Sequence, residues 1–129
     1  MKNISFKFRT LIVCFIVLQA CGDSKSQVPA GEMPITQLEA TQLSEGAVLL
    51  DVRTPKEYAA GHLEGAVNMD IFSDDFTTQL QELDKDATVY VYCKKGGRSA
   101  RAAALMDSLG YSHVIDLTGG YDAYKAAQQ

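Results

Sequence analysis

The chain has 129 residues, 12 Lys and Arg against 16 Asp and Glu, and a net charge of −4. Apolar residues make up 47% of it, which suits one soluble domain with one core behind a targeting segment. Four of the bases, Lys94, Lys95, Arg98 and Arg101, sit together. An acidic body with one basic spot excludes an extended nucleic-acid interface and suits a small anion drawn to one mouth.

Residues 1–20 carry Lys2, Lys7 and Arg9 and no acid, and residues 11–18 are eight apolar residues in a row. That run is well short of the roughly 20 residues of a membrane span and reads as a signal-peptide core. It ends in Leu18-Gln19-Ala20-Cys21-Gly22, which resembles the cleavage box of bacterial lipoproteins. The resemblance implies cleavage before Cys21 and lipidation of its thiol and new amino group. It also implies a place in the bacterial cell envelope, anchored to a membrane, with the domain facing the periplasm or the outside. An ordinary secretory signal with a chance Cys is the alternative.

Processing there would leave one free thiol. Cys14 departs with the signal, Cys21 is blocked, and Cys93 remains. No internal disulfide can then form in an oxidising compartment, and a lone thiol kept there suggests a use for it. The other reading is a buried, inert Cys at a strand end. Residues 21–33 are small and polar and read as a tether spanning on the order of 20 Å. The domain proper is expected over 34–129.

Its elements alternate. Thr36-Gln37-Leu38-Glu39 is a capping box that opens a helix to about Glu45. Residues 47–52 form an apolar strand. Thr54-Pro55-Lys56-Glu57 is a second capping box with Pro at the first helical position, and Gly61 ends that helix. A short strand follows over 65–69. Phe76, Leu80 and Leu83 fall at helical spacing. A central strand is expected over 88–93, a helix over 100–109 closed by Gly110, a strand over 113–117 and a last helix over 121–127. The alternation predicts an α/β fold with a parallel sheet covered by helices on both faces, whose ligands sit beyond the strands' carboxyl ends.

Cys93 falls at such an end. Val89-Tyr90-Val91-Tyr92 reads as a buried strand, and Cys93-Lys94-Lys95-Gly96-Gly97-Arg98-Ser99 leads through a Gly-Gly turn into a helix. Loop N–H groups and a helix N-terminus favour negative charge there, so the thiol is expected to ionise easily. The stretch reads as an anion cradle with a nucleophilic sulfur at its floor.

Three pieces together resemble the rhodanese family. The first runs from Leu50-Asp51-Val52-Arg53 through Glu57-Tyr58 to Gly61-His62-Leu63-Glu64-Gly65-Ala66-Val67-Asn68. The second is the Cys93–Ser99 loop, and the third is Leu117-Thr118-Gly119-Gly120-Tyr121, with Tyr124 as the closing aromatic. The resemblance implies a single rhodanese-like domain with a parallel sheet of about five strands. It implies a sulfurtransferase that takes a sulfane sulfur from a donor such as thiosulfate, holds it as a persulfide on Cys93, and passes it to cyanide or a thiol. N–H groups of residues 94–98 would hold the persulfide. The family resemblance calls for no cofactor, and two His with one thiol give no zinc set.

The surrounding residues carry more than one reading. Lys94 and Lys95 either hold a sulfonate at the mouth or form a solvated basic loop. Arg98 is expected to shape the loop by binding carbonyls or a carboxylate. Asp51 and Arg53 read as a structural ion pair or turn bonds, with a supporting site role as the alternative. His62 reads as a turn residue, and Tyr90 and Tyr92 as core or pocket rim. Asp74, Asp75, Glu82, Asp84 and Asp86 read as a solvated helix face and its ends. Two other functions stay open. One is a phosphatase or arsenate-reducing relative, disfavoured because four residues, not five, separate Cys93 from Arg98. The other is a non-catalytic module that senses persulfides or binds a partner. The oligomeric state is unknown at this point.

Overall fold

The structure is a computed structural model that describes residues 31–38 and 43–129. Four strands and four helices alternate after a first strand and a single 3-10 turn. The strands are β1 (Gly31–Pro34), β2 (Val48–Asp51), β3 (Val67–Asn68), β4 (Thr88–Tyr92) and β5 (His113–Thr118). The helices are α1 (Pro55–Ala60), α2 (Phe76–Leu80), α3 (Gly97–Ser108) and α4 (Gly120–Ala127). All strand pairs are parallel, in the order β1-β5-β4-β2-β3.

Strand β4 shows why the sheet is covered on both faces. Val89 and Val91 point one way, into a cluster with Leu50, Phe76, Leu80, Ala102 and Met106, beneath α2 and α3. Tyr90 and Tyr92 point the other way, among Ile35, Leu49, Ile115 and Leu117, with Tyr58 of α1 and Tyr121 of α4 packed against them. A strand buried on both faces needs apolar residues at every position, which is what the sequence supplies.

Helix α1 starts as its sequence predicts. The Glu57 N–H donates to Thr54 Oγ1 at 3.3 Å, and the Thr54 N–H donates to Glu57 Oε2 at 3.1 Å. Pro55 opens the helix, where its missing N–H costs nothing. A cap of this kind stabilises a helix by about 1 kcal/mol.

Several expected boundaries move. The capping box at Thr36 does not cap: Thr36 lies inside the 3-10 turn Ile35–Gln37, and Leu38 is already extended. Residues 39–42 lie outside the described residues, and 43–45 are not helical. Residues 31–33, expected to be tether, belong to β1, so the sheet begins at Gly31 and not at 34. Gly-Glu-Met-Pro has no strand pattern of its own; pairing to β5 at the sheet edge supplies it. Helix α3 begins at Gly97, three residues earlier than expected, and α2 ends at Leu80, leaving Leu83 in the following turn.

The strand order places the site. From β2 the chain crosses by α1 to β3 on one side, and from β4 it crosses by α3 to β5 on the other. The two crossovers run on opposite faces. Between the carboxyl ends of β2 and β4 they leave a crevice, the usual ligand position in open parallel sheets. Cys93 directly follows the end of β4, and Arg53 lies two residues past the end of β2.

Candidate active site

Cys93 is buried, one residue past β4, with the first turn of α3 aimed at it. The Gly96 N–H donates to Cys93 Sγ at 3.0 Å. The Cys93 thiol meets the Ser99 hydroxyl at 3.6 Å, and that hydroxyl donates to the Gly96 carbonyl at 3.0 Å. Burial pushes the thiol's pKa up. The Ser99 N–H, the Ser99 hydroxyl and the N–H groups of Gly96 and Lys95 pull it down and prevail, leaving it below the ordinary value. The N–H ring therefore runs through Lys95, Gly96 and Ser99, beyond the expected residues 94–98. Gly96 makes the tight turn possible: its φ of +118° is one that a side chain resists.

The loop's carbonyls are held by the N-terminus of α4. The Tyr121 N–H donates to the Cys93 carbonyl at 2.8 Å, and the Asp122 N–H to the Lys94 carbonyl at 3.0 Å. Those are two of the donors a helix start leaves unpaired. Gly120 lets α4 come this close. A Cβ there would run into the Lys94 carbonyl and stand 2.6 Å from the Lys95 nitrogen, and its φ is +65°.

Arg98 shapes the loop through a carboxylate, as its five donors suggested. Its Nη1 and Nη2 donate to Glu57 Oε2 and Oε1 at 2.7 and 2.8 Å, a bidentate pair. Hydrogen bonds from Arg98 hold the Glu57 carboxyl down to about 2. Glu57 is thus both the third residue of the α1 capping box and the anchor of the cysteine loop. Nothing in the sequence links positions 41 residues apart.

Asp51 and Arg53 form the structural ion pair. Arg53 Nε and Nη2 donate to the Asp51 carboxylate at 2.9 and 2.6 Å, and both side chains are buried. Arg53 Nη2 also donates to the Gly61 carbonyl at 2.7 Å, and its guanidinium lies 4.4 Å from the Tyr121 ring centroid. Asn68 Nδ2 donates to the Asp51 and Arg53 carbonyls at 3.0 and 2.8 Å, which ties the end of β2 to β3. The Tyr92 hydroxyl accepts from the Leu63 N–H at 3.0 Å. These contacts fix the crevice walls without touching Cys93.

The remaining residues divide cleanly. Lys94 and Lys95 are exposed. Lys94 borders a cleft of about 230 Å³ beside the loop, with Arg53, Glu57, Gly61, Tyr121 and Lys125 on its other walls. Gly97 opens α3, and Arg101 faces solvent on it. His62 stacks on Tyr58 at 3.7 Å and contacts its carbonyl at 2.9 Å, as a turn residue. Tyr90 and Tyr92 are core. The acids Asp74, Asp75, Glu82, Asp84 and Asp86 are exposed around α2. Cys21, the candidate lipidation site, lies outside the described residues. Among the described residues no three His, Cys, Asp or Glu side chains gather as a metal site, and no helix is long and apolar enough to cross a membrane.

Comparison with known proteins agrees with this geometry. Residues 35–127 match the rhodanese-like domain family. The chain is 39% identical over 84 residues to a protein named thiosulfate sulfurtransferase GlpE from Pseudomonas entomophila, covering 64% of this chain and 74% of that one. It is 35% identical over 81 residues to a protein named sulfurtransferase from Allochromatium vinosum, covering 63% and 74%. Among solved structures, the rhodanese-like domain of the Alr3790 protein from Anabaena superposes with a TM-score of 0.58 at 34% identity. That match covers 70% of this chain and 91% of that one.

Proposed function

The chain belongs to the rhodanese-like domain family and is a sulfurtransferase, and we propose that it carries sulfur on Cys93 between an anionic donor and a thiol or cyanide. The observation that carries this reading is the Gly96 N–H on Cys93 Sγ at the head of α3. It stabilises a thiolate at rest and a persulfide when loaded.

The chemistry runs in two steps. The Cys93 thiolate attacks the outer sulfur of thiosulfate. The S–S bond of the donor breaks, sulfite leaves with the electron pair, and a persulfide anion remains on Cys93. A thiolate or cyanide then attacks the outer sulfur, the Sγ–S bond breaks, and the Cys93 thiolate returns. Dividing the transfer this way gives ping-pong kinetics. Attack at sulfur needs an ionised thiol and a good leaving group and no general base, so the lack of a His beside Cys93 is no obstacle. Lys94 and Lys95 supply positive charge where the sulfonate of the donor enters. Burial of Sγ behind the loop suits a single sulfur atom better than a tetrahedral phosphoryl group.

For its place in the cell, the reading rests on sequence. The apolar run at 11–18 and the Leu18–Gly22 box support cleavage before Cys21 and lipid attachment to it. With β1 starting at Gly31, a link of about nine residues joins the lipid to the sheet. Cys21→Ser should then move the protein from the membrane pellet to the soluble fraction. A variant that stays in the pellet contradicts the anchor.

Intact mass spectrometry before and after thiosulfate tests the carrier. Wild type should gain the mass of one sulfur atom, lose it to cyanide, and show neither change as Cys93→Ser. No gain with thiosulfate, polysulfide or other persulfide donors would refute the persulfide.

A further inference from the structure

A groove of about 310 Å³ runs between α3 and the β1–β5 edge of the sheet. It lies on the far side of β4 from the crevice at Cys93, which opens between β4 and β2. Ala100, Ala103 and Asp107 fall three and four residues apart and turn one stripe of α3 into the groove. Val114 and Asp116 of β5 share a strand face and line it from below. Glu32 stands beside Asp116 across the β1–β5 ladder. A helix that joins two parallel strands runs back against them, so the Ala100 end of α3 is level with Asp116 and the Asp107 end with the start of β5.

Three acids line this groove, and among the described residues no Lys, Arg or His does. Glu32 and Asp107 are exposed at its rim. Asp116 is different. It is only 4% exposed, and its Oδ1 has no hydrogen-bond partner among the described residues. Lys85, 5.8 Å from the Tyr111 ring centroid at the Asp107 end, is committed to the Leu109 carbonyl at 2.7 Å. A buried carboxylate oxygen without a donor is costly, and such groups call for an explanation. Burial, with the charge of Glu32 adding to it, pushes the Asp116 carboxyl above its ordinary value, and a cation in the groove would reverse that push.

The spread of the acids says which cation fits. Metal ligands close on one point, and among the described residues no three His, Cys, Asp or Glu side chains are grouped that way. Here the carboxyls stand apart along the groove. From Ala100 to Asp107 the helix rises about 10 Å, and from Val114 to Asp116 the strand advances about 7 Å. Between the two acidic ends the lining is apolar, from Ala103 and Val114. A cation charged at both ends and apolar between them matches that pattern.

We propose that this groove is a binding site for a short linear alkyl diamine, with Asp116 as the carboxylate that anchors it. One ammonium donates to Asp116 and Glu32, and the other to Asp107. The methylenes between them cover Ala103 and Val114. The site stands apart from Cys93 and goes beyond sulfur transfer, so it does not depend on that chemistry.

The test is isothermal titration calorimetry of the full chain with 1,4-diaminobutane near neutral pH, where one saturable site is expected. Asp116→Asn keeps the shape and removes the charge, and should weaken binding about tenfold or more. Butylamine keeps the apolar stem and one charge, and should bind about tenfold more weakly than the diamine. Ala103→Leu keeps every charge and fills the groove. It should lose binding as well, and it reports on the site even if Asp116→Asn folds poorly. The absence of saturable binding overturns the proposal, and so does binding that is unchanged in Asp116→Asn or in Ala103→Leu. Asp84→Asn removes an exposed acid outside the groove and should leave binding as it is. An equal loss there would mean general attraction to an acidic body, and would overturn the site too. Cys93→Ser should bind the diamine as wild type does, so the result stands whether or not Cys93 carries sulfur.

Discussion

Arg98 grips Glu57 through two parallel hydrogen bonds of 2.7 and 2.8 Å, and so ties the loop around Cys93 to the first turn of α1. Glu57 is placed for this by its own capping bond to Thr54. A helix cap and the cysteine loop thus share one carboxylate. Arg98→Ala should leave the fold in place and lower kcat/KM with thiosulfate by about 10- to 100-fold, because the N–H ring loses its fixed geometry. Arg98→Lys should recover only part of this, since an ammonium cannot make two parallel bonds. Steady-state kinetics on the two variants measures the difference, and unchanged rates in Arg98→Ala would show the clamp to be irrelevant to turnover.

Cys93→Ser should abolish sulfur transfer, by about a thousandfold or more, while the far-UV circular dichroism stays the same. The hydroxyl fits the site but does not ionise near neutral pH. Donor kinetics read out the loss. Retained turnover would mean that another group carries the sulfur.

How much of this was legible in the sequence depends on the range of the contact. The Thr54–Glu57 box and the buried strand before Cys93 are local, and each formed where its residues predict, whereas the Gly-Gly pair, read as a turn before a helix at 100, already lies at the start of α3. The Thr36 box has the same local signature, yet Thr36 lies inside a 3-10 turn and Leu38 is extended, with Ile35 buried in the core beside Leu117. Strand β1 was unreadable because Gly31 and Pro34 mask it and β5 supplies its pairing. The partner of Arg98 could be given as a class, a carboxylate, but not as Glu57.

Gly120→Ala should damage the loop from outside it. The added methyl would overlap the Lys94 carbonyl, and the backbone φ of +65° would be strained at any residue with a Cβ. To relieve the overlap, α4 must draw back, which breaks the bonds from Tyr121 and Asp122 to the Cys93 and Lys94 carbonyls. The expected cost is about 2–4 kcal/mol in urea unfolding, together with a fall in kcat. Gly31→Ala is the control: a Cβ there meets nothing within 4 Å, and stability should change little.

The Arg98–Glu57 pair also predicts a pH dependence of stability. Arg98 holds the Glu57 carboxyl from 4.5 down to about 2, with the bonds from Thr54 helping and burial opposing. A carboxylate whose folded pKa is depressed adds stability that is complete above the unfolded value and is lost as pH falls through the folded one. Wild type should therefore exceed Glu57→Gln by about 1–2 kcal/mol at pH 7, allowing for screening of a side chain that is 28% exposed. The gap should hold down to about pH 4.5 and close between there and pH 2. Urea unfolding of both proteins at pH 7, 4 and 2.5 measures it. A gap that is the same at all three would mean that Glu57 stabilises α1 through shape and capping alone, and that its charge contributes nothing to holding the loop.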